Sequence, residues 1–422
     1  MGAPRKRTNA RHHVEEHLEE LERLADTAGA RVVGTLTQQI DRPHPGTYLG
    51  SGKLEELAAL AGDLEATLVI FDDELSPSQG KNIEDAIGKR VMDRAELILD
   101  IFATRARSSE AKMQVELAQL EYMLPRLTRM WTHLEKTRGG IGVGMRGPGE
   151  TQLETDRRLI GHRIRLLKER LAEVKRSRLV QRQARKHVFR AALVGYTNAG
   201  KSSLLRALSH APEIFVEDRL FATLDPLTRE VALNEQTRMV VTDTVGFIRK
   251  LPHHLVASFR ATLEEVLEAE LLLHVIDASH PFWEEQREVV DEVLGELGVH
   301  DKDVVYVFNK VDQLSVGEVD GLRTRARNLF PRHVFCSAIG GDEGTVELRD
   351  ALLAAARRHT PLVALRLDHA NGKLLAELHR MGEVVSVRHG DDATYVAARL
   401  DDAALARATR LGAALDGKVV AP

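Results

Sequence analysis

The residues best suited to chemistry form a glycine-rich loop between an apolar run and a helical segment. Residues 191–194 read as a buried strand, and residues 203–208 read as a helix. The loop between them fits G-x-x-x-x-G-K-[ST], in which backbone N–H groups surround an oxygen-rich anion and the helix N-terminus adds partial positive charge. The predicted phosphate-binding residues are Gly195, Tyr196, Thr197, Asn198, Ala199, Gly200, Lys201, Ser202 and Ser203.

The loop specifies two chemical roles. Lys201 is predicted to reach the β- and γ-phosphates of a nucleotide, and the Ser202 hydroxyl is predicted to ligate Mg²⁺. The alternative, a glycine turn that binds nothing, is disfavoured because the motif and both flanking segments agree.

Two later segments are placed to respond to a third phosphate. The first contains Thr223, which could complete the Mg²⁺ shell when a γ-phosphate is present, and the second is a strand ending in D-x-x-G. Asp243 would hold Mg²⁺ through water, and the Gly246 N–H would contact the γ-phosphate. Lys201, Thr223 and Gly246 are therefore the predicted catalytic residues. The two segments comprise Phe221, Ala222, Thr223, Leu224, Asp225, Asp243, Thr244, Val245 and Gly246.

An N-K-x-D motif selects the base. The Asp312 carboxylate can accept two hydrogen bonds from guanine N1–H and N2–H₂, whereas adenine offers neither donor on that edge and would leave the carboxylate unpaired. Backbone N–H groups near Ser337 and Ala338 would meet guanine O6. The predicted base-binding residues are Asn309, Lys310, Val311, Asp312, Ser337, Ala338 and Ile339.

Phe247 follows Gly246 at a position where many GTPases place a glutamine that orients the attacking water. A phenyl ring cannot do this. We therefore expect slow intrinsic hydrolysis, with the water positioned by another group or by a partner.

The bulk composition is that of a globular protein. The chain has 422 residues, 43% of them hydrophobic, and its single cysteine, Cys336, excludes an intramolecular disulfide. No apolar run approaches the roughly 18–20 residues that a membrane span needs, and the start does not resemble a secretory signal. We expect a cytoplasmic monomer.

The elements predict an α/β protein. The expected order is a basic tail (1–13), a small α/β domain (14–107), a long antiparallel helical hairpin with a glycine-rich tip (108–187), a P-loop nucleotide domain (188–360) and a small α+β domain (361–422). Strands are expected at 31–36, 66–71 and 90–92 in the first domain. Residues 50–53 imitate a phosphate loop but lack its spacing and its hydroxyl, so a turn into a helix is favoured over a ligand site.

The hairpin is inferred from a 3.5-residue period of apolar residues, which runs from Met113 to Leu134 and again from Ile160 to Val174. Pro125 should bend the first arm, and Thr151 to Glu154 have the form of a capping box. The intervening loop is longer than two antiparallel helices need. We favour a contact tip over a flexible linker, with candidate contacts at Gly142, Gly144, Arg146 and Gly147.

The second arm is strongly basic. Residues 151–190 contain thirteen Lys or Arg and four Asp or Glu, a net charge of +9, which leaves −13 for the remaining chain. Such a run is often only a solvated helix face. Its concentration on one arm of an otherwise acidic protein instead favours binding to an RNA backbone, and Arg157 and Arg158 are candidate contacts.

The motifs together resemble one family. The nucleotide motifs place residues 190–340 among the translation-factor-like GTPases. Residues 114–120, 124–127 and 147–158, with Phe221–Asp225 and Asp243–Phe247, are similar to the signature of the HflX family. The resemblance implies a GTPase that binds the large (50S) ribosomal subunit and splits stalled or idle ribosomes, notably under stress. It also implies that the α/β domain and hairpin bind the ribosome, that the tip reaches toward the peptidyl-transferase centre, and that the ribosome activates hydrolysis. Asn198 matches a position that coordinates K⁺ in some related GTPases.

Three other functions stay open on sequence grounds. One is a GTPase that assists maturation of ribosomal subunits. Another is a binding module whose hairpin grips RNA or protein while the nucleotide is structural. The third, an ATP-dependent enzyme based on the amino-terminal domain, depends on the imperfect loop near Gly52.

Overall fold

The structure, a computed structural model, describes residues 10–40, 42–127, 148–183, 189–214, 217, 219–251, 260–299, 301–369 and 371–416. The chain divides into two compact units. The first unit comprises Met1–Ser177, Asp218–Asp225 and Lys250–Ala261, and the second comprises Arg178–Glu217, Pro226–Arg249 and Thr262–Pro422. Two segments of the predicted nucleotide domain therefore belong to the first unit.

The first unit alternates helices with two short strands. Some of its helices begin at side chains that accept hydrogen bonds from the first turn, as Ser76 does from the Gln79 N–H and Ser108 from the Ala111 N–H. The elements are α1 (Ala10–Thr27), α2 (Ser51–Asp63), β1 (Leu68–Phe71), α3 (Pro77–Ile87), β2 (Arg90–Asp93), α4 (Arg94–Arg105), α5 (Ser109–Met123), a 3₁₀ turn (Leu124–Arg126) and α6 (Pro148–Gln183).

Strands β1 and β2 pair in parallel, from Leu68 opposite Arg90 to Phe71 opposite Asp93. This confirms an α/β domain, but the strand predicted at residues 31–36 is wrong, because those residues lie in neither a helix nor a strand. They line a cavity of about 490 Å³ together with residues of β1, and Val33 is 44% exposed. A β-prone segment without a partner across that space forms no ladder.

Charged side chains are buried at the carboxyl ends of these strands. The Arg94 guanidinium lies against Asp72, at 2.7 Å, and against Glu20. Arg126 donates to the Leu75 carbonyl at 2.7 Å and lies 3.4 Å from the Asp93 carboxylate. Buried charges are tolerated where they are paired in this way.

Helices α5 and α6 pack along the predicted apolar seam. Leu117, Ile164 and Leu167 form its buried centre, and the pairs Arg163–Glu116 and Lys168–Glu121 flank it. The predicted helical section is thus confirmed. Its second helix begins at Pro148, so Thr151 lies inside the helix and is not its N-cap.

The first arm of the predicted hairpin changes from an α-helix to a 3₁₀ turn next to Pro125. Helix α5 ends at Met123, and the chain continues through Pro125 as a 3₁₀ turn, as expected for a residue that cannot donate to the helical ladder. Trp131, Leu134 and the glycine-rich tip lie outside the described residues.

The second unit contains a six-stranded sheet in the order β4-β5-β3-β6-β7-β8, in which β4 is antiparallel to β5 and the other neighbours are parallel. Its core is formed by buried Leu, Val and Ala side chains of the central strands and of the flanking helices. The elements are β3 (Arg190–Gly195), α7 (Lys201–Ser209), β4 (Leu227–Ala232), β5 (Arg238–Asp243), α8 (Arg260–Glu268), β6 (Leu271–Asp277), α9 (Trp283–Glu296), β7 (Asp303–Asn309), α10 (Val316–Leu329), β8 (His333–Phe335), α11 (Gly341–Gly344) and α12 (Val346–His359).

A smaller antiparallel sheet follows, in the order β10-β11-β9-β12. The α+β character predicted for this region is confirmed. Arg357 of α12 pairs with Glu383 of β10, which ties the small sheet to the preceding helix. The elements are β9 (Leu362–Leu367), α13 (Gly372–Met381), β10 (Glu383–His389), β11 (Thr394–Arg399), α14 (Asp402–Arg410) and β12 (Ala414–Leu415).

The α5–α6 seam generates a testable prediction. Leu167 is fully buried, so Leu167→Ala should destabilise the pair of helices by about 2–5 kcal/mol. Amide hydrogen exchange in α5 and α6 should accelerate accordingly. Leu159→Ala removes the same atoms from a residue of the same helix that is 59% exposed, and it should leave exchange nearly unchanged. Equal exchange in the two variants would show that the seam does not stabilise the helices.

Candidate functional site

The predicted phosphate loop connects β3 to α7 and requires glycine at two positions. Gly195 has φ 152°, and a Cβ there would lie 2.3 Å from the Val275 carbonyl oxygen. Gly200 has φ 93°, and its Cβ would lie 2.2 Å from the Asn309 amide nitrogen. Both conformations belong to glycine, and both places are too crowded for a side chain. The loop therefore packs directly against the ends of β6 and β7.

Lys201 is buried at the start of α7, and its ammonium donates to the carbonyl oxygens of Gly195 at 3.2 Å and Tyr196 at 2.9 Å. Burial lowers the pKa of Lys201 from its ordinary 10.5 to about 8, and the nearby Asp243 carboxylate opposes that shift. A buried cation without full charge compensation favours an anionic ligand.

Ser202 and Asp243 come together as predicted. The Ser202 hydroxyl donates to the Asp243 carboxylate at 2.6 Å, and Asp243 is completely buried at the end of β5. One hydroxyl and one carboxylate suit Mg²⁺, which prefers oxygen ligands and completes its shell with phosphates and water. Among the described residues, no group of three or more His, Cys, Asp or Glu could hold a metal ion, so a protein-only metal cage is not seen there.

The D-x-x-G segment lies along the phosphate loop. A Cβ on Gly246 would be 2.6 Å from the Thr197 Cα and 3.0 Å from the Lys201 ammonium. The Phe247 N–H donates to the Gly195 carbonyl at 3.1 Å, and the Thr197 N–H donates to the Phe247 carbonyl at 2.7 Å. The phenyl ring of Phe247 is 1% exposed, so it packs in the core and offers no group that could hold a water molecule.

Asn309 joins three loops. Its amide nitrogen donates to the Ala199 carbonyl at 2.9 Å, its amide oxygen accepts from the Ala338 N–H at 3.1 Å, and the Cys336 thiol lies 3.8 Å from that oxygen. Burial, with the charges of Glu347 and Asp312, raises the pKa of the Cys336 thiol to about 12. The amide thus holds the phosphate loop against the predicted base-binding loops.

The remaining predicted base-binding residues surround Asp312. This exposed carboxylate accepts from the buried Ser337 hydroxyl at 2.5 Å. Lys310, in a left-handed conformation with φ 64°, pairs with Asp277 at 2.7 Å. Ile339 is 78% exposed. The structure therefore brings Asn309, Asp312, Ser337 and Ala338 together.

The predicted Mg²⁺-sensing segment belongs to the first unit. Phe221 is buried with φ 55°, and its ring meets that of Phe102 edge to face at 4.7 Å between centroids. The Asp225 carboxylate accepts from the backbone N–H groups of Arg107, at 2.9 Å, and Ser108, at 3.1 Å. Thr223 lies between these two anchors. The sequence assigned these residues to the nucleotide and did not indicate that they pack with α4 and α5.

The predicted RNA contacts are described only in part. Arg157 and Arg158 are exposed on α6, while Gly142, Gly144, Arg146 and Gly147 lie outside the described residues. Near the imitation phosphate loop, the Lys53 ammonium pairs with Glu56 at 2.9 Å, as expected for an ordinary helix start.

Sequence reasoning missed two contacts that follow the D-x-x-G motif. The Arg249 N–H donates to the Tyr196 hydroxyl at 2.9 Å. The Lys250 ammonium lies 2.5 Å from Asp72 and 2.7 Å from Asp73. Lysine and aspartate are common surface residues, and a separation of nearly 180 positions leaves no periodic signal that would pair them.

Family models match the chain in three consecutive parts. Residues 15–103 match a model described as "GTP-binding GTPase N-terminal", residues 105–185 match "GTP-binding GTPase Middle Region", and residues 190–310 match "50S ribosome-binding GTPase".

Curated relatives agree over most of the chain. It is 45% identical to a GTPase HflX of Magnetococcus marinus over 397 residues, which cover 92% of this chain and 89% of the relative. It is 44% identical to GTPase HflX of Escherichia coli K12, with 87% and 85% covered. The chain is also similar to the protein in a crystal structure of the SsGBP and GDP complex. The two sequences are 26% identical, the match covers 84% of this chain and 97% of that chain, and the TM-score is 0.45. No described helix combines the length and apolar character that a membrane crossing needs.

The buried lysine generates a pH prediction. A phosphate should restore the proton that Lys201 loses above a pKa of about 8, so GDP affinity should weaken as pH rises, approaching tenfold per pH unit above that value. Calorimetry at about pH 8 in two buffers of different ionisation enthalpy should show proton uptake on binding. Binding without proton uptake would contradict a direct contact between this ammonium and phosphate.

The glycine at the end of the loop generates another prediction. Gly200→Ala should displace the buried Asn309 amide and lower GDP affinity by at least about tenfold, because the amide and the new methyl cannot both be accommodated. Gly298→Ala is the matched control, since Gly298 has φ 76° but nothing within 4 Å of an added Cβ. Similar GDP affinities for the two variants would contradict a clash between the added methyl and the Asn309 amide.

Proposed function

This chain belongs to the HflX family of GTPases, and from that premise we propose that it binds the large (50S) ribosomal subunit and dissociates stalled or idle 70S ribosomes under stress. The observation that carries the proposal is a 36-residue basic helix, α6, in the same chain as the GTPase motifs. Positive charge on an extended helix suits the phosphate backbone of ribosomal RNA.

The roles proposed for the nucleotide-binding residues are those that the motifs predict. Lys201 would bind the β- and γ-phosphates, Ser202 would ligate Mg²⁺ and Asp243 would hold it through water, and Thr223 would complete the shell when GTP is present. Mg²⁺, when bound, neutralises charge on the phosphates. Asp312 is assigned to guanine N1–H and N2–H₂, and the backbone N–H groups of Ser337 and Ala338 are assigned to O6. In this structure those two N–H groups donate to the Gly344 carbonyl, at 2.9 Å, and to the Asn309 amide oxygen, at 3.1 Å, so binding of O6 requires one of them to be released. The phosphate loop and the residues 221–225, 243–246, 309–312 and 337–339 form the binding site.

Hydrolysis is slow in the isolated protein and faster on the ribosome. The buried Phe247 ring cannot orient water, so another group of this chain or a group of the ribosome does so. Asn198, in a left-handed conformation with φ 60°, is the position proposed to coordinate K⁺. Turnover in K⁺ compared with Na⁺ tests that assignment.

Binding energy, rather than hydrolysis, splits the ribosome. GTP orders the segments around Thr223 and Gly246, and the α/β domain and helical hairpin (residues 14–187) then bind ribosomal RNA, with the glycine-rich tip directed toward the peptidyl-transferase centre. Binding displaces contacts between the ribosomal subunits, and hydrolysis releases the factor. In this proposal, residues 188–360 form the nucleotide domain and residues 361–422 form the small final domain.

The proposal predicts that a non-hydrolysable GTP analogue supports splitting of 70S ribosomes in a density gradient and that GDP does not. Isolated 50S subunits should stimulate GTP turnover. A strict requirement for turnover would refute the order of events. If 70S ribosomes stay intact and only precursor subunits respond to the protein, a maturation factor would be favoured. If ribosomes do not stimulate GTP turnover and RNA binding does not depend on the nucleotide, a binding module would be favoured.

The basic helix can be tested separately from the nucleotide site. Arg157→Glu combined with Arg158→Glu should weaken 50S binding and reduce its salt slope by about two, while leaving basal GTP turnover unchanged. Arg238→Glu reverses a charge on the 67% exposed side chain of a residue in β5 and serves as control. Unaltered 50S affinity in the double variant would exclude this face of α6 from the ribosome contact.

A further inference from the structure

The end of helix α7 that lies away from the phosphate loop is capped by an arginine of α12. The Arg349 guanidinium donates to the Ala207 carbonyl at 3.3 Å and to the Leu208 carbonyl at 3.1 Å. Both carbonyls lie in the last turn, where a helix leaves oxygens without helical partners and where its dipole attracts a cation. The arginine side chain is only 17% exposed, so it is packed within the second unit.

The same guanidinium contacts two further elements of that unit. It donates to the carbonyl of Ala232, the last residue of β4, at 3.2 Å. It also lies 3.4 Å from the Asp342 carboxylate of α11 and 3.0 Å from Nε2 of His210, the residue that follows α7. A planar fork of N–H groups can join several acceptors in this way, whereas a lysine ammonium cannot hold the same geometry. Arg349 therefore links α7, β4 and α11.

Asp342 belongs to the loop that is proposed to meet the guanine base. We call residues 337–344 the base loop. The Ser337 N–H donates to the Gly344 carbonyl at 2.9 Å, so the two ends of the loop are joined, and a Cβ on Gly344 would lie 2.3 Å from the Ser337 carbonyl oxygen. The Ser337 hydroxyl in turn donates to Asp312 at 2.5 Å. Because the loop is closed on itself, a displacement at Asp342 also displaces this partner of Asp312.

Arg349 is a second connection between α7 and the base loop. Asn309 is the first, because it joins Ala199, just before α7, to Ala338 in the base loop. The nine residues of α7 span about 13 Å, so the two connections lie at opposite ends of the helix. One connection alone would leave the helix free to pivot about it. Two connections fix the orientation of the helix against the loop.

We propose that Arg349 is a positioning residue, which sets the orientation of the base loop relative to the phosphate loop. GDP would bridge both loops, with its phosphates at Lys201 and its base at Asp312. A ligand that bridges two subsites gains the affinity of both only when the subsites are held at a matching separation. Loss of Arg349 therefore weakens GDP more than it weakens a ligand of one loop alone. The inference rests on the nucleotide site proposed above.

The test measures the affinities of the full chain for GDP, inosine diphosphate and pyrophosphate by titration calorimetry. Inosine diphosphate lacks the 2-amino group that Asp312 is proposed to bind, and pyrophosphate can occupy only the phosphate loop. Arg349→Gln should lower GDP affinity about tenfold and the ratio of GDP to inosine diphosphate affinity about threefold, as expected for lost hydrogen bonds of a charged group. Pyrophosphate affinity should stay unchanged.

Two other arginine substitutions serve as controls. Arg349→Lys keeps the charge but cannot join all of these acceptors, so it should recover only part of the lost GDP affinity. Arg325→Gln removes a different guanidinium of the second unit, which pairs with Glu284 at 2.5 Å, and it should leave all three affinities unchanged. Full recovery with lysine would show that charge alone accounts for the effect and would contradict a role in linking elements.

A variant in the base loop keeps the test decisive if Arg349→Gln does not fold. Asp342 is 71% exposed, so Asp342→Ala removes the loop's side of the contact at little cost to the fold. It should also lower the ratio of GDP to inosine diphosphate affinity. Combined with Arg349→Gln it should add no further change, because both substitutions break the same link. Additive effects would exclude a link through this pair.

The outcomes separate this inference from the proposed site. If Lys201→Ala binds GDP and pyrophosphate normally, the nucleotide site is wrong and the inference fails with it. If Lys201→Ala abolishes binding while Arg349→Gln and Asp342→Ala keep the native GDP affinity and ratio, the inference alone is wrong. Equal losses of affinity for all three ligands would also overturn it, since they would show a general effect on the fold.

Discussion

The nucleotide site depends on one buried amide. Asn309 donates to the phosphate loop through Ala199 and accepts from Ala338, so a single planar group sets the distance between the two ends of the site. The absence of a side chain at Gly200 makes room for it. An unpaired amide at this depth would cost about 1–3 kcal/mol per lost partner, so the loops are stable only in the arrangement that satisfies it. The positions of Asp312 and Ser337 follow from that arrangement.

The parts of the fold that sequence predicted are those with strong local patterns. The buried strand β3 is a continuous apolar run, and the α5–α6 seam repeats every 3.5 residues. Strand β4 lacks such a run, because it lies at the sheet edge, alternate residues are exposed, and Thr228, Arg229 and Glu230 interrupt its apolar residues. For residues 31–36 the sequence wrongly predicted a strand, since β-branched residues favour a strand whether or not a partner strand is within reach.

The site shows the same division. Its candidate members could be chosen from sequence because phosphate, metal and guanine each require particular groups at fixed spacing, as in the phosphate loop and in Asn309 to Asp312. The destinations of Phe221, Asp225 and Lys250 were not predictable, because packing with α4, α5 and β1 depends on tertiary contacts between distant positions. Segments expected to serve the nucleotide alone therefore also contribute side chains to the amino-terminal unit. A substitution there can change both the site and the first unit at once.

The thiol beside Asn309 has a separate consequence. Cys336 is 1% exposed and its pKa is raised to about 12, so at neutral pH almost none of it is the nucleophilic thiolate. Alkylating reagents and peroxide should therefore spare it in the folded protein. Since the chain has no other cysteine, the rate at which this sulfur becomes labelled reports how often the loops proposed to bind guanine open. The protein thus carries an intrinsic chemical probe beside Asn309, at the proposed base-binding site.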